Sequence, residues 1–383
     1  MKYLNITIKK YDRLLLGAIV LLCIIGTVML FSASISLSLE QTQGQRDTMY
    51  LQAHLRRLLV GFLAMAFFLL LDYRYLKRVA PYALIGTIAI LILTKGILLL
   101  KGQNFPARWL FVGPFSIQTS DIARLALIIY LASYLDRKRE AIKNFTDGFL
   151  PPVLVIGLVV ALIVIQPDFS TAAVMALLGF TMLYMGGARF PHLLATATTS
   201  LLVMVPVMLL KPYRIKRILS YFRPDSVSAE DLYQIKQSLI SIGNGGLFGL
   251  GLGNSLGKDL FLPTPHTDFI FAIIGEETGF IGAMLVITLF LFIFQRGIKI
   301  AKDCTDPFGV LLAIGIVFSF VSYAFINAAV VTSLLPTTGL PMPFISYGGS
   351  GLVINMMSMG ILLNISQSKR SIARPPWRQR QYD

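Results

Sequence analysis

The sequence predicts an all-α, polytopic membrane protein of about ten transmembrane helices with one long extracytoplasmic loop. Three observations carry that reading. Only 14% of the 383 residues are charged while 55% are hydrophobic, where a soluble chain carries about a quarter charged residues. Uncharged apolar runs long enough to cross a hydrocarbon core recur along the whole chain. The short loops between them are basic on alternate sides, as the positive-inside rule requires of a chain woven through a bilayer.

In order, the spans are expected at 14–34, 55–71, 78–100, 121–135, 149–166, 169–187, 190–210, 269–294, 307–335 and 343–365. The first follows a basic start (Lys2, Lys9, Lys10, Arg13) and is longer than the apolar region of a cleaved signal peptide, so it reads as a span. The ninth is long and is expected to tilt or kink. Arg74, Lys77 and Arg78, then Arg137, Lys138, Arg139 and Lys143, then Arg189, then Arg296, Lys299 and Lys302 fall on one side together with the N-terminus and the basic tail 367–383. That side is taken as cytoplasmic, which places both termini there and requires an even number of spans. The whole of 1–383 reads as a single membrane-embedded domain.

The opposite side carries the unusual sequence. A polar segment fills 35–54, a second loop fills 101–120, a tight break falls at Gln166-Pro167-Asp168, and the long loop covers 211–268. Within that loop Leu232, Ile235, Leu239 and Ile242 recur at helical spacing, which predicts an amphipathic helix lying on the outer interface or packed on the bundle. The stretch GNGGLFGLGLGNSLGK at 243–258 is no Walker loop, because the glycine–lysine spacing fails and no βαβ pattern surrounds it. Its glycines read as tight turns or as backbone approaching a neighbour or ligand.

Net charge is +15. The cations sit in short loops beside lipid head groups and on no single face, so nucleic-acid binding is excluded as a reading. Cys23 and Cys304 fall at different depths and are not expected to pair. Three scattered histidines and two cysteines suggest no structural zinc.

Ionisable groups at membrane depth are the functional candidates. Asp121 and Arg124 open the fourth span one turn apart, and either neutralise each other or serve a site. Asp168 caps the sixth span, serves a site, or does both. Asp268, beside His266 and Thr267, stands where the long loop re-enters the membrane; capping alone is the alternative. Glu276 and Glu277 follow two turns deeper, and at least one is expected to face the bundle interior and pair there. The Pro- and Gly-rich stretch 334–352 must be buried in protein or line a polar cavity.

At these residues the chain resembles the SEDS family of bacterial cell-wall proteins, which includes FtsW, RodA and SpoVE. The resemblance runs from the first span to the last. It rests on Arg108-Trp109, QPDFST at 166–171, PYRIKRI at 212–218, YQIKQSLISIGNGGLFGLGLGNS at 233–255, PHTDFIFAIIGEE at 265–277 and LPTTGLPMPFISYGGS at 335–350. Tyr213, Arg214 and Arg217, followed by GLGNS, look more like the division branch than the elongation branch. The resemblance implies a ten-span peptidoglycan glycosyltransferase of the bacterial cytoplasmic membrane that polymerises lipid II at the outer face, working with a class B penicillin-binding protein and other divisome proteins among membrane lipids. It implies an essential Asp268, and it places the family's intramembrane acidic and basic pair at Asp121 and Arg124 and its fifth-to-sixth-span aspartate at Asp168. Beside these, Arg108, His266 and Thr267 are expected to bind substrate, and Arg214 and Arg217, one turn apart, to bind its diphosphate, interfacial head-group binding being the alternative. The chain departs from the family pattern at Thr119-Ser120-Asp121 with Arg124, where Pro-Ser-Glu and a lysine are usual, at Thr264, where glutamate is common, and at Gly351. No cofactor is required; a divalent cation can share in neutralising the diphosphate, although no metal cage is legible. A lipid II flippase or a septal scaffold without catalysis would also fit ten spans, but a carboxylate at the outer mouth favours an enzyme.

Overall fold

The computed structural model describes residues 10–101, 108–112, 115–209, 215, 219–223, 229–258, 262–263 and 265–368. The helices are α1 (Arg13–Gln41), α2 (Met49–Leu70), α3 (Arg74–Lys101), α4 (Thr119–Arg137), α5 (Leu150–Ile165), α6 (Phe169–Met185), α7 (Phe190–Leu209), α8 (Ala229–Gly245), α9 (Ile270–Asp303), α10 (Pro307–Val331) and α11 (Ser350–Ile365). Each of the ten expected spans coincides with one of them, α8 being the extra helix of the long loop. Six are long and apolar enough to cross a membrane, and α6, α7 and α11 are shorter apolar helices. Helices arise from these runs because in hydrocarbon a segment must satisfy its backbone hydrogen bonds internally. The protein is a multi-pass helical membrane protein.

The chain alternates direction, so the starts of α1, α3, α5, α7 and α10 gather at one end with the last turns of α2, α4, α6, α9 and α11. The short basic loops fall at this end, whereas Arg56, Arg57 and the basic residues of the long loop belong to the other; the short-loop end is tied by polar side chains. Asp12 caps α1 by accepting the Leu15 N–H at 3.0 Å and pairs with Arg296 of α9. Its own N–H donates to Ser366 Oγ at 3.0 Å. Asn364 accepts the Tyr73 N–H at 3.0 Å, and Lys77 pairs with Asp136. Cys23 and Cys304 are both free and buried.

The other end is built differently from its expected loops. The segment before α4 contains an antiparallel hairpin, β1 (Trp109–Val112) with β2 (Phe115–Gln118), pairing Trp109 with Gln118. α8 packs on the bundle. Leu232, Ser238 and Ser241 are buried and Ile242 packs on the core beside Gly275, while Leu239 faces out. The helices cross closely where glycines meet: a Cβ on Gly245 would lie 1.9 Å from the Gly275 carbonyl oxygen. Ser238 also donates to the Val331 carbonyl at 2.7 Å, fixing α8 to the end of α10.

α9 is two helices joined across a kink. Gly279 has φ 67° and ψ −169°, which breaks the helical ladder. Residues beyond the break suffice to cross a bilayer at roughly 36 Å, leaving a short piece, 270–278, at the loop end. The broken ladder is repaired from outside. Leu250 N–H and Gly251 N–H donate to the carbonyls of Glu276 and Glu277 at 2.9 and 3.1 Å. Phe280 N–H and Ile281 N–H donate to the carbonyls of Gly246 and Leu247 at 2.9 and 3.3 Å. The glycine-rich stretch is therefore the missing hydrogen-bonding partner of a discontinuous span.

A side chain at Gly279 would be strained by its φ and would bring a Cβ within 2.4 Å of Gly249 N. Gly279→Ala is expected to cost more than about 2 kcal/mol. Gly243→Ala, with nothing within 4 Å of the added Cβ, should be neutral or stabilising. Thermal unfolding of the two detergent-solubilised variants, followed by size exclusion, separates them; equal melting would refute the repaired-break account.

Candidate active site

The hairpin delivers the first group of polar residues. Arg108 precedes β1 and reaches across to the α5–α6 break, donating to the Pro167 carbonyl and standing 3.8 Å from Asp168 Oδ1. Asp168 is 4% exposed and caps α6, accepting the Thr171 N–H at 3.3 Å. Its other oxygen accepts from Gln118 Nε2 at 3.3 Å. Capping and membership of the polar site thus coexist in one side chain. Gln166 joins them by donating to the Leu91 carbonyl at 2.9 Å and accepting from Thr119 Oγ1 at 3.2 Å.

One turn into α4, Asp121 and Arg124 form a buried pair at 3.6 Å. The pair is embedded: Arg124 donates to Asn355 Oδ1 at 2.8 Å and lies 4.4 Å from the Tyr323 ring centroid, and Asp121 accepts from Ser350 Oγ at 3.1 Å. Its partners come from α10 and α11. A buried charge pair is tolerable when its remaining hydrogen-bonding positions are filled in this way. Gly351, where the family pattern has a larger residue, gives Asp121 its space, since a Cβ there would stand 3.2 Å from the Asp121 carboxylate.

Asp268 lies on the turn leading into α9. It is not the helix cap, because Phe269 occupies that position and makes no side-chain cap bond. The backbone under it is held at three successive carbonyls. Tyr347 N–H donates to His266 O at 2.8 Å, Ser346 Oγ to Thr267 O at 2.6 Å, and Asn327 Nδ2 to Asp268 O at 2.8 Å. Asn327 donates to Leu340 O as well, at 2.7 Å. The backbone that carries the carboxylate is thereby tied to α10 and to the segment before α11. Burial holds the His266 imidazole well below its ordinary range, at about 4, so at neutral pH it is an uncharged N–H donor or acceptor.

One segment, 335–351, connects these groups. Leu335, Pro336, Thr337, Thr338 and Leu340 line a cleft of ≈ 330 Å³ whose polar end is Arg108 and Asp168. Gly339 takes φ 73°, with the position of its missing Cβ 3.3 Å from Asp268 Oδ2. Pro341 to Phe344 then close over Asp121 and Arg124. Arg108, Asp121, Arg124, Asp168, His266, Thr267 and Asp268 thus belong to one assembly at the loop end of the bundle. Arg214 and Arg217 lie outside the described residues. Among the described residues no three of His, Cys, Asp and Glu gather as a metal site.

Sequence reasoning missed the members that carry no charge: Gln118, Asn327, Ser346, Ser350 and Asn355. Each is a single polar residue in or beside an apolar helix, and only the partner across the bundle gives it meaning. It also missed Lys258, which lay inside the rejected nucleotide-loop stretch. Lys258 is buried, donates to the Gly253 carbonyl, and lies 3.3 Å from both Glu277 Oε1 and Ser32 Oγ of α1. Ser32 donates to the same Glu277 oxygen at 2.5 Å. Glu276 accepts from Ser255 Oγ at 2.5 Å and from Gly257 N–H at 3.2 Å. Both glutamates therefore face inward, and together they bind the glycine-rich loop to α1 and α9.

The model of the FtsW/RodA/SpoVE family, described as cell cycle protein, matches residues 12–371. A probable peptidoglycan glycosyltransferase FtsW of Geobacter sp. (strain M18) is 35% identical over 366 residues, 96% of this chain and 99% of the relative. Stage V sporulation protein E of Bacillus subtilis (strain 168) is 38% identical over 364 residues, 94% and 98% of the two chains. Among solved structures, the fold is shared with a chain of a peptidoglycan synthase complex that coordinates polymerization and crosslinking, at a TM-score of 0.75 and 24% identity over 97% of this chain and 99% of that one. It is shared too with Thermus thermophilus rod shape determining protein RodA, at 0.68 and 24% over 94% and 97%.

The buried Lys258–Glu277 pair is open to test by removing one charge. Lys258→Met leaves a buried carboxylate without its cation and should cost about 3–5 kcal/mol. Adding Glu277→Gln should recover part of that loss. A single variant as heat-stable as the unaltered protein would show that the pair does not hold the loop.

Proposed function

The chain belongs to the FtsW/RodA/SpoVE family of cell cycle proteins, and on that premise we propose that it is a peptidoglycan glycosyltransferase polymerising lipid II into glycan strands at the outer face of the bacterial cytoplasmic membrane. The observation that carries this is Asp268, held through three consecutive carbonyls at the loop end of the bundle, next to a polar-headed cleft. In the reaction, the 4-hydroxyl oxygen of one lipid-linked disaccharide bonds to the anomeric carbon of another. The bond from that carbon to the diphosphate oxygen breaks, and undecaprenyl diphosphate departs. Asp268 takes the hydroxyl proton as general base. The leaving group is already acidic and needs charge neutralisation, which Arg108 on the cleft supplies, with Arg214 and Arg217 of the adjoining loop as further donors. Asp121, Arg124 and Asp168 order the donors around it, and His266 and Thr267 carry the base. A divalent cation bridging the diphosphate would add to that neutralisation without a protein-built cage.

The partner in this reading is a class B penicillin-binding protein that crosslinks the strands, and the division role follows the naming of the relatives. The basic end of the bundle is cytoplasmic, with both termini there. A cysteine at Gln45, between α1 and α2, should then react with a membrane-impermeant maleimide in intact spheroplasts, and one at Lys138 only after lysis. The opposite pattern would invert the protein and remove Asp268 from its substrate.

The deciding measurement is conversion of labelled lipid II to polymer by purified protein with its partner. Asp268→Asn keeps the size of the side chain but cannot accept the proton at neutral pH, and the rate should fall by about 10²–10⁴ with insertion and partner binding intact. Near-normal polymerisation by this variant would move the base elsewhere, Asp168 first. No polymer from the unaltered protein under any partner or cation condition, with lipid movement retained, would favour a flippase.

A further inference from the structure

A second set of nitrogen-bearing side chains lies on the far flank of the Asp268 turn, between the first turns of α2 and Tyr347. His54 and Arg57 are three residues apart on α2 and share a face. His54 is fully buried; Thr27 Oγ1 of α1 donates to the Cys23 carbonyl at 2.7 Å and accepts from His54 Nε2 at 3.4 Å, which leaves His54 Nδ1 an acceptor without a partner among the described residues. Arg57 lays its guanidinium over the Tyr347 ring, 4.7 Å from the centroid. It makes no ion pair with a carboxylate among the described residues, and its buried Nη1 has no acceptor there. The Tyr347 ring stands 5.6 Å from His266, whose Nδ1 is likewise buried and unpartnered, and Tyr50 closes the group at 4.8 Å from His266 and 5.1 Å from Tyr347.

Leaving buried donors without acceptors is costly, and most so for a charged one. Arg57 Nη1 is such a donor, and His266 Nδ1 is one in the tautomer that carries its proton there; with a permanent positive charge beside them, they fit a ligand bearing several oxygens and negative charge. The location, the loop end of a helix whose outer face carries exposed Leu55, Leu59 and Leu63, fits a ligand that continues into an acyl or prenyl chain. We infer that Arg57 and His266 form a binding site for the phosphate group of a lipid ester, either a prenyl diphosphate or a phospholipid head group.

The prenyl diphosphate arm rests on the polymerase reading. Glycan polymerisation engages two lipid-linked substrates at once, and each brings a diphosphate. The cleft with Arg108 and Asp168 meets segment 335–351 at its start, the Arg57 cluster meets it at Tyr347, and Asp268 stands against it at Gly339 between the two. One substrate on each side of the base is the arrangement that a hydroxyl on one and an anomeric carbon on the other require.

The test is a titration of the full-length chain with undecaprenyl diphosphate and with dioleoylphosphatidylglycerol, read by native mass spectrometry. Arg57→Gln should weaken binding by about tenfold or more, the loss of charge-assisted hydrogen bonds. A loss confined to the prenyl lipid identifies a substrate site, and a loss confined to the phospholipid identifies a head-group site. Affinities equal to those of the unaltered protein for both lipids overturn the inference. Should Arg57→Gln fail to fold, Arg57→Lys keeps the charge and loses the planar fork; it should bind several-fold more weakly, and unchanged affinity again overturns the site. Asp268→Asn separates this from the polymerase reading. It should lose polymerisation and keep lipid binding, so failure of the base assignment leaves the Arg57 result standing, and failure at Arg57 leaves the base standing.

Discussion

In hydrocarbon a backbone N–H or C=O that finds no partner inside the protein finds none at all, and the architecture of this chain depends on how that constraint is met where helices stop. Regular spans meet it unaided. The interrupted places borrow. The break at Gly279 is closed by Leu250, Gly251, Gly246 and Leu247; the α5–α6 break is held where Gln166 donates to the Leu91 carbonyl and Arg108 to the Pro167 carbonyl; the α2–α3 break has Asn364 donating to the Leu69 carbonyl. Two of these lie at the end that carries Asp268, where irregular backbone is concentrated because a reacting site needs polar groups at membrane depth.

The same borrowing positions the chemistry. His266, Thr267 and Asp268 are fixed by donors from α10 and from the segment entering α11, while Arg124 is fixed by Asn355 of α11 and by Tyr323 of α10. Asp268 and the buried arginine therefore share supports, and their spacing is set by two helices that neither residue belongs to. That is preorganisation in the physical sense: orientation is settled by folding and not by substrate.

Much of this was legible in the residues. Apolar runs and alternating basic loops located the spans, because length and charge are local properties. The charged members of the site stood out as expensive groups at membrane depth, and Glu276 and Glu277 face inward as that cost demands. The β-hairpin escaped notice, since WLFV and FSIQ are too short to declare a period. Of the apolar stripe on α8, Leu232 is buried and Ile242 meets Gly275 of α9, but Leu239 faces out, while Ser238 faces in and donates to the Val331 carbonyl of α10, a partner that no local pattern reveals. The extent of α9 was hidden too: a glycine inside an apolar run does not reveal its φ, and the partners that make the break affordable lie some thirty residues upstream.

The repaired break also bears on how the chain is made. A span interrupted at Gly279 is a poor candidate for partitioning from the translocon into lipid alone, since four backbone groups would arrive in the bilayer unmatched. Their partners, 246–251, are encoded just ahead and emerge from the ribosome first. The glycine-rich stretch has thus already been synthesised when the helix that needs it is released. Exchanging the order of these two segments, with every final contact preserved, would leave the folded structure unchanged and deprive its assembly of that help.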